Sequence, residues 1–161
     1  MVDQPAPSGA SFAFDNAAKA LDEQLGRIES LDAKGGVLLA ADGVLAGLLF
    51  ATDSVLFQAP RILGVTVTIS LLLSILLALL AFSTRKYETA PTPEAVIDLM
   101  EQGSEAWLKW RFLGNLIVAL TINRSKLARK TRLLSSAIAL LFTVVLLLGA
   151  YLIYLLVRGG E

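Results

Sequence analysis

Two runs without a single charged residue decide what this chain can fold into: Ile62 to Phe82, 21 residues, and Leu133 to Val157, 25 residues. A helix needs about 20 residues to cross roughly 30 Å of hydrocarbon, and the longer run can cross with some tilt. The competing reading is a pair of helices buried in a soluble core. A helix that is apolar all round must be covered all round, and 161 residues offer little chain with which to cover two of them. Charged residues make up 17% of the chain, against about 25% in ordinary soluble domains, and mean hydropathy is +0.67. The expectation is an all-α integral membrane protein.

A third apolar stretch, Gly36 to Ala51, is interrupted by Asp42. A carboxylate at the middle of a span costs roughly 2.5–3.5 kcal/mol on insertion scales, so it faces a bundle interior or a water-filled path rather than lipid. We read residues 36–56 as the first of three transmembrane helices, followed by 62–82 and 133–157. Orientation follows from the basic residues. Lys19, Arg27 and Lys34 precede the first span. Nine more lie between the second and third spans, from Arg85 to Arg132, while Arg61 and Arg158 stand alone on the other side. That asymmetry places the N-terminus and the middle segment in the cytoplasm and the C-terminus outside. Tyr151 and Tyr154 then fall near the outer interface.

The residues outside the spans read as cytoplasmic helical extensions. Residues 1–13 carry Pro, Gly and Ser, with neither the basic nor the apolar region of a signal peptide, and read as a disordered arm. From Phe14, the positions Ala18, Leu21, Leu25 and Ile28 alternate spacings of four and three, a heptad seam. No stop signal separates that helix from the first span, because Gly35 and Gly36 weaken a helix without breaking it. We therefore take 14–82 as a cytoplasmic helix continuing into a transmembrane hairpin. Residues 83–132 form a cytoplasmic helical segment, with a turn through Pro91 and Pro93, a helix carrying Val96, Ile97 and Met100, and a bend at Gly103-Ser104. An amphipathic piece from Glu105 to Thr131 then runs into the last span. Residues 106–123 resemble a fourth span, but Lys109, Arg111 and Asn115 argue against it.

The chain has neither cysteine nor histidine. Disulfides, thiol chemistry, imidazole ligands and a Ser-His-Asp triad are excluded. Without a second catalytic group for its lone carboxylates an enzyme is not expected, nor is a metal or cofactor.

Two constellations could carry function. Continued past Ile28, the seam passes Asp32, Gly35, Leu39, Asp42, Ala46, Leu49 and Asp53. Rings of aspartate facing an oligomer axis would favour cations, whereas a packing hydrogen bond would explain the same residues. On the second span, Thr66, Ser70 and Ser74 recur every four residues, and Ser74 lies at the depth of Asp42. Asp32, Asp42, Asp53, Ser70 and Ser74 are thus candidates for a polar path. Gly43, Gly47 and Ala51 form a small-residue stripe that permits close helix approach within the hairpin or to a second copy. The other constellation is Asn123 to Arg132, with five positive charges in ten residues. Such a cluster anchors a membrane protein through anionic lipid. With Lys34 at the same level, Asn123, Arg124, Lys126, Arg129 and Lys130 could also bind a phosphate. Nucleic acid is not expected, because the cluster is small and tied to the bilayer.

The stretch Asp32-x-Lys34-Gly35-x-x-Leu38-Leu39 resembles the Asp-x-Lys-Ala/Gly-x-x-Leu-Leu motif of the Pycsar transmembrane effector family, with glycine at 35 where alanine is more usual. Asn123 to Lys126, just before the last span, is similar to that family's pattern, and the likeness runs from about Ala17 to Val157. The resemblance implies an effector of bacterial anti-phage defence in the inner membrane. A cyclic pyrimidine nucleotide from a partner cyclase would activate it, and membrane integrity would then be lost. Buried acids and seams that need partner helices point to a homo-oligomer, which would act as an oligomeric pore. The alternative is a structural or scaffold membrane protein, or an ion channel, with no nucleotide trigger.

Overall fold

The computed structural model describes residues 7–51, 60–83, 87–88 and 104–158. Among them the chain is all-helical: α1 (Ala10–Ala51), α2 (Arg61–Ser83) and α3 (Glu105–Arg158). Local chemistry explains where these helices begin. Gly9 takes a left-handed φ of 95°, which glycine adopts without strain, and its carbonyl accepts the Ala13 N–H at 2.9 Å. The helix therefore starts at Ala10, and residues 10–13 belong to it rather than to the expected arm. Ala10 is itself buried. Pro60 precedes α2 and accepts the N–H groups of Leu63 and Gly64. Before α3, Ser104 acts as the cap: its hydroxyl accepts the Trp107 N–H and its carbonyl the Leu108 N–H. Both long helices are uninterrupted, α1 through Gly35 and Gly36 and α3 through the whole basic cluster.

Two compact units divide the chain. The first comprises residues 1–30 and 85–128. In it the N-terminal part of α1 packs on the N-terminal part of α3 through Leu21, Leu116 and Ala119, with Phe14, Ala17, Ala18, Leu25 and Leu120 around them. The two helices run parallel. Lys109 meets Asp15 at 3.3 Å and donates to Ser11 Oγ, and further along Gln24 donates to the Leu120 carbonyl at 3.2 Å. Hydrogen bonding to Glu105, and then to Asp15, holds the Lys109 ammonium above its ordinary pKa.

The second unit comprises residues 31–84 and 129–161. Here the remainder of α1 and of α3 again run parallel, and α2 packs antiparallel to both. One apolar cluster centres on Leu38, Ala78, Leu134 and Ala137, and another on Val67, Leu71 and Val144. Gly35 permits one close approach: a Cβ there would stand 3.0 Å from the Phe82 ring. Away from these contacts α2 is apolar and exposed, through Ile62, Val65, Ile69, Leu72 and Leu76.

Among the described residues, two helices, α2 and α3, are long and apolar enough to cross a membrane. Only 28% of that stretch in α2 and 11% in α3 is buried, whereas a soluble core helix would be mostly covered. α1, interrupted by Asp42, is not among them.

The expected seam on α1 is the packed face. Phe14, Ala18, Leu21, Leu25, Ile28, Asp32, Gly35, Leu39, Asp42, Ala46 and Leu49 are all buried or half-buried. α3 carries a matching seam that composition hides: Leu116, Asn123, Lys130, Ala137, Val144 and Tyr151 are buried at strict seven-residue intervals. Repeats of seven on parallel helices are the pattern of a left-handed coiled coil.

Candidate functional site

The polar residues that interrupt these two seams make three buried stations. In the second unit, Asp42 and Ser74 have no exposed surface. The Ser74 hydroxyl lies 3.1 Å from both carboxylate oxygens of Asp42 and 3.0 Å from the Ala137 carbonyl. One residue on each of α1, α2 and α3 thus meets at one point, as the depth match between Asp42 and Ser74 suggested. A serine has a single hydroxyl hydrogen, so it serves the carboxylate and the carbonyl by turns, or as a shared donor. Ser70 is half-buried one turn earlier on α2. Thr66 departs from the expected shared face: it is exposed, and its hydroxyl donates to the Ile62 carbonyl of its own helix at 2.8 Å. A four-residue spacing drifts about 40° per step on a helix of 3.6 residues per turn, so Thr66 lies well round from Ser74.

The second station is also in this unit. The Lys130 ammonium donates to Asp32 Oδ1 at 2.6 Å, with Lys130 2% exposed and Asp32 39%. Along α1 the buried Leu38 and half-buried Leu39 separate Asp32 from Asp42. Asp53 lies outside the described residues. Of the two expectations for the small-residue stripe, packing within the hairpin is not seen among the described residues: Gly43 and Gly47 face open space, and the close approach is at Gly35.

The third station is in the first unit. Asn123 is fully buried, and its side-chain amide clamps the backbone of Glu88. Its Oδ1 accepts the Glu88 N–H at 3.0 Å, and its Nδ2 donates to the Glu88 carbonyl at 2.8 Å. Beside it, the Lys126 ammonium sits 6.0 Å from the centre of the Tyr87 ring. Arg124 is exposed.

The six candidate phosphate-binding residues therefore fall three to each unit: Asn123, Arg124 and Lys126 in the first, and Lys34, Arg129 and Lys130 in the second. Asn123 and Lys130 hold partners within the chain, while Lys34, Arg124 and Arg129 are exposed. Glu88 was the residue that sequence reasoning missed, because a clamp on backbone atoms leaves no side-chain signature. Among the described residues, no three acidic groups converge as a metal site would require.

The buried seam positions, the Asp32 to Leu39 stretch and the Asn123 to Lys126 stretch all lie inside residues 16–157, which match the Pycsar effector protein domain. The chain belongs to the Pycsar effector family. This membership, with the two apolar helices, supports a membrane protein that acts as an effector in bacterial anti-phage defence. No curated protein and no solved structure matches the chain.

Proposed function

We propose that this Pycsar effector crosses the bacterial inner membrane three times, at residues 36–56, 62–82 and 133–157, with its N-terminus and middle segment in the cytoplasm and its C-terminus outside. A cyclic pyrimidine nucleotide from a partner cyclase binds the cytoplasmic helices, and the homo-oligomer then breaches the membrane. The observation that carries this reading is the station at Asp42, Ser74 and Ala137, a buried carboxylate and hydroxyl inside helices whose outward faces are apolar. Polar groups at such a depth in a membrane protein mark functional sites by default. The 54 residues of α3 rise about 80 Å at 1.5 Å each. That far exceeds the bilayer core, so a helix entering at Leu133 supports an extension into the cytoplasm.

The test uses full-length protein in liposomes of anionic lipid loaded with a self-quenching dye. Adding 3′,5′-cyclic UMP or cyclic CMP should release the dye, and adding cyclic AMP should not. Dye retained with both pyrimidine nucleotides would overturn the reading.

One observation favours a second reading, a structural membrane protein or an ion channel with no nucleotide trigger. Asp42 has no exposed surface, and the Ser74 hydroxyl lies 3.1 Å from both its oxygens, which suits a packing lock. Asp42→Asn separates the two, because it keeps the shape and removes the charge. Reduced leakage on activation with normal assembly supports a charged path. Full leakage leaves Asp42 as a packing group.

A further inference from the structure

The clamp on Glu88 uses chemistry that a nucleobase can imitate. A primary amide that accepts through Oδ1 and donates through Nδ2 reads any edge presenting a donor beside an acceptor, as asparagine does with adenine in nucleic-acid recognition. The backbone of Glu88 offers its N–H and C=O to Asn123 in that arrangement, at 3.0 and 2.8 Å. Uracil presents the same pattern with N3–H and O4, and cytosine with its 4-amino group and N3. The clamp also occupies a costly place. Asn123 stands on the α3 seam between Leu116 and Lys130, where an apolar residue would pack without needing a partner. A polar residue at such a position lowers stability and specifies one arrangement over another. Lys126 and Arg124 lie within three residues of Asn123 and supply positive charge beside it.

We propose that the Asn123–Glu88 clamp is an autoinhibitory latch, opened when the base edge of a nucleotide replaces the Glu88 backbone on the Asn123 amide while Lys126 and Arg124 take its phosphate. This rests on the nucleotide trigger proposed above and names the contact that senses it. Glu88 follows the last residue of α2 by five positions, so the contact it makes lies close in sequence to a helix proposed to cross the membrane. No covalent step is involved. Two hydrogen bonds are exchanged for two of the same kind, so modest binding energy is enough to shift the balance between latched and open forms.

Hydrogen exchange on the unmodified full chain in nanodiscs, followed by mass spectrometry, reads the latch directly. The Glu88 amide hydrogen should exchange at least about tenfold faster when 3′,5′-cyclic UMP is added, because protection reflects the hydrogen bond it makes. Asn123→Asp removes the donor to the Glu88 carbonyl, and Glu88→Pro removes the N–H that Asn123 accepts. Both should leak dye from liposomes without nucleotide. Glu88→Ala keeps the backbone and should leak only when nucleotide is present. Parent protein that leaks on nucleotide addition, with unchanged exchange at Glu88, overturns the latch while leaving the nucleotide trigger standing. Parent protein that neither leaks nor changes exchange with either pyrimidine nucleotide overturns the trigger and the competition together. Should the two clamp variants fail to accumulate, the exchange measurement on the parent still decides.

Discussion

At the scale of single residues, the buried stations differ in what each partner would leave behind. Ser74 is the hydrogen-bond partner of Asp42 in the second unit, so Ser74→Ala strands a carboxyl with no donor. Leaving a buried polar group unsatisfied costs about 1–3 kcal/mol. Asp42→Asn keeps an acceptor for the Ser74 hydroxyl in the same volume, and membrane hydrogen bonds average about 0.6 kcal/mol. Ser74→Ala should therefore lower stability more than Asp42→Asn, read as a shift in the denaturation midpoint in detergent micelles; the reverse order would mean that Asp42 does not depend on Ser74. The Lys130–Asp32 pair is asymmetric in the other direction. Lys130 is 2% exposed and Asp32 39%, so water can replace the lysine for Asp32 but not the carboxylate for Lys130. Asp32→Ala should cost more than Lys130→Met, because the first takes a charged partner from a buried ammonium while the second leaves a carboxylate that water can reach. The same midpoint measurement checks the order. Asp42 and Ser74 were legible as partners from depth alone. Lys130 was not: in sequence it belongs to a run of basic residues, and nothing in that run marks which one turns inward.

Among the helices, glycine placement separates packing within the chain from packing beyond it. Of the glycines on α1, Gly35 sits under another side chain, with Phe82 3.0 Å from the site of a Cβ, whereas Gly36, Gly43 and Gly47 face open space. A helical glycine costs about 0.8–1 kcal/mol relative to alanine. In the isolated chain Gly43→Ala and Gly47→Ala should therefore stabilise α1, each by up to about 1 kcal/mol. Where the stripe meets a second copy, the same substitutions should reduce the oligomer. Native mass spectrometry from mild detergent would show the shift toward monomer; an unchanged oligomer would remove this face from the assembly. Gly35→Leu should destabilise the chain under all conditions, because Phe82 and Leu134 occupy the space it needs. The α1 seam was readable because its spacing of three and four begins with Phe14, Leu21, Leu25 and Ile28. The α3 seam was not, since Asn123 and Lys130 occupy two of its six fully packed positions and break the apolar pattern on which periodicity depends. The start of α1 at Ala10 was missed for a local reason: Gly9 turns the chain with a positive φ, and Pro7-Ser8-Gly9 reads in sequence as loop.

For the molecule as a whole, the proposed topology places every long helix under one constraint. α1 and α3 run parallel within each unit and α2 runs against them, which is the order required if the chain enters, returns and leaves. Twelve of the 14 basic residues fall on the side argued to be cytoplasmic, and that bias fixes orientation when the loops are short. A reporter tag fused before Met1, or inserted at Glu88, should be protected from protease in intact spheroplasts, and one placed after Glu161 should be cut. Insertion at Glu88 also strains the latch, so the N-terminal tag serves as the independent control for the same compartment. Both cytoplasmic tags protected and the C-terminal tag cut fit three crossings. The N- and C-terminal tags protected with the Glu88 tag cut would mean two crossings. Among the described residues α2 and the charge-free run of α3 are the helices long and apolar enough to span, so the stretch that then stays out of the bilayer is residues 36–51. Asp42 would in that case be held by Ser74 inside a helical unit without lying in hydrocarbon, and the case for a polar path through the membrane would fall with it.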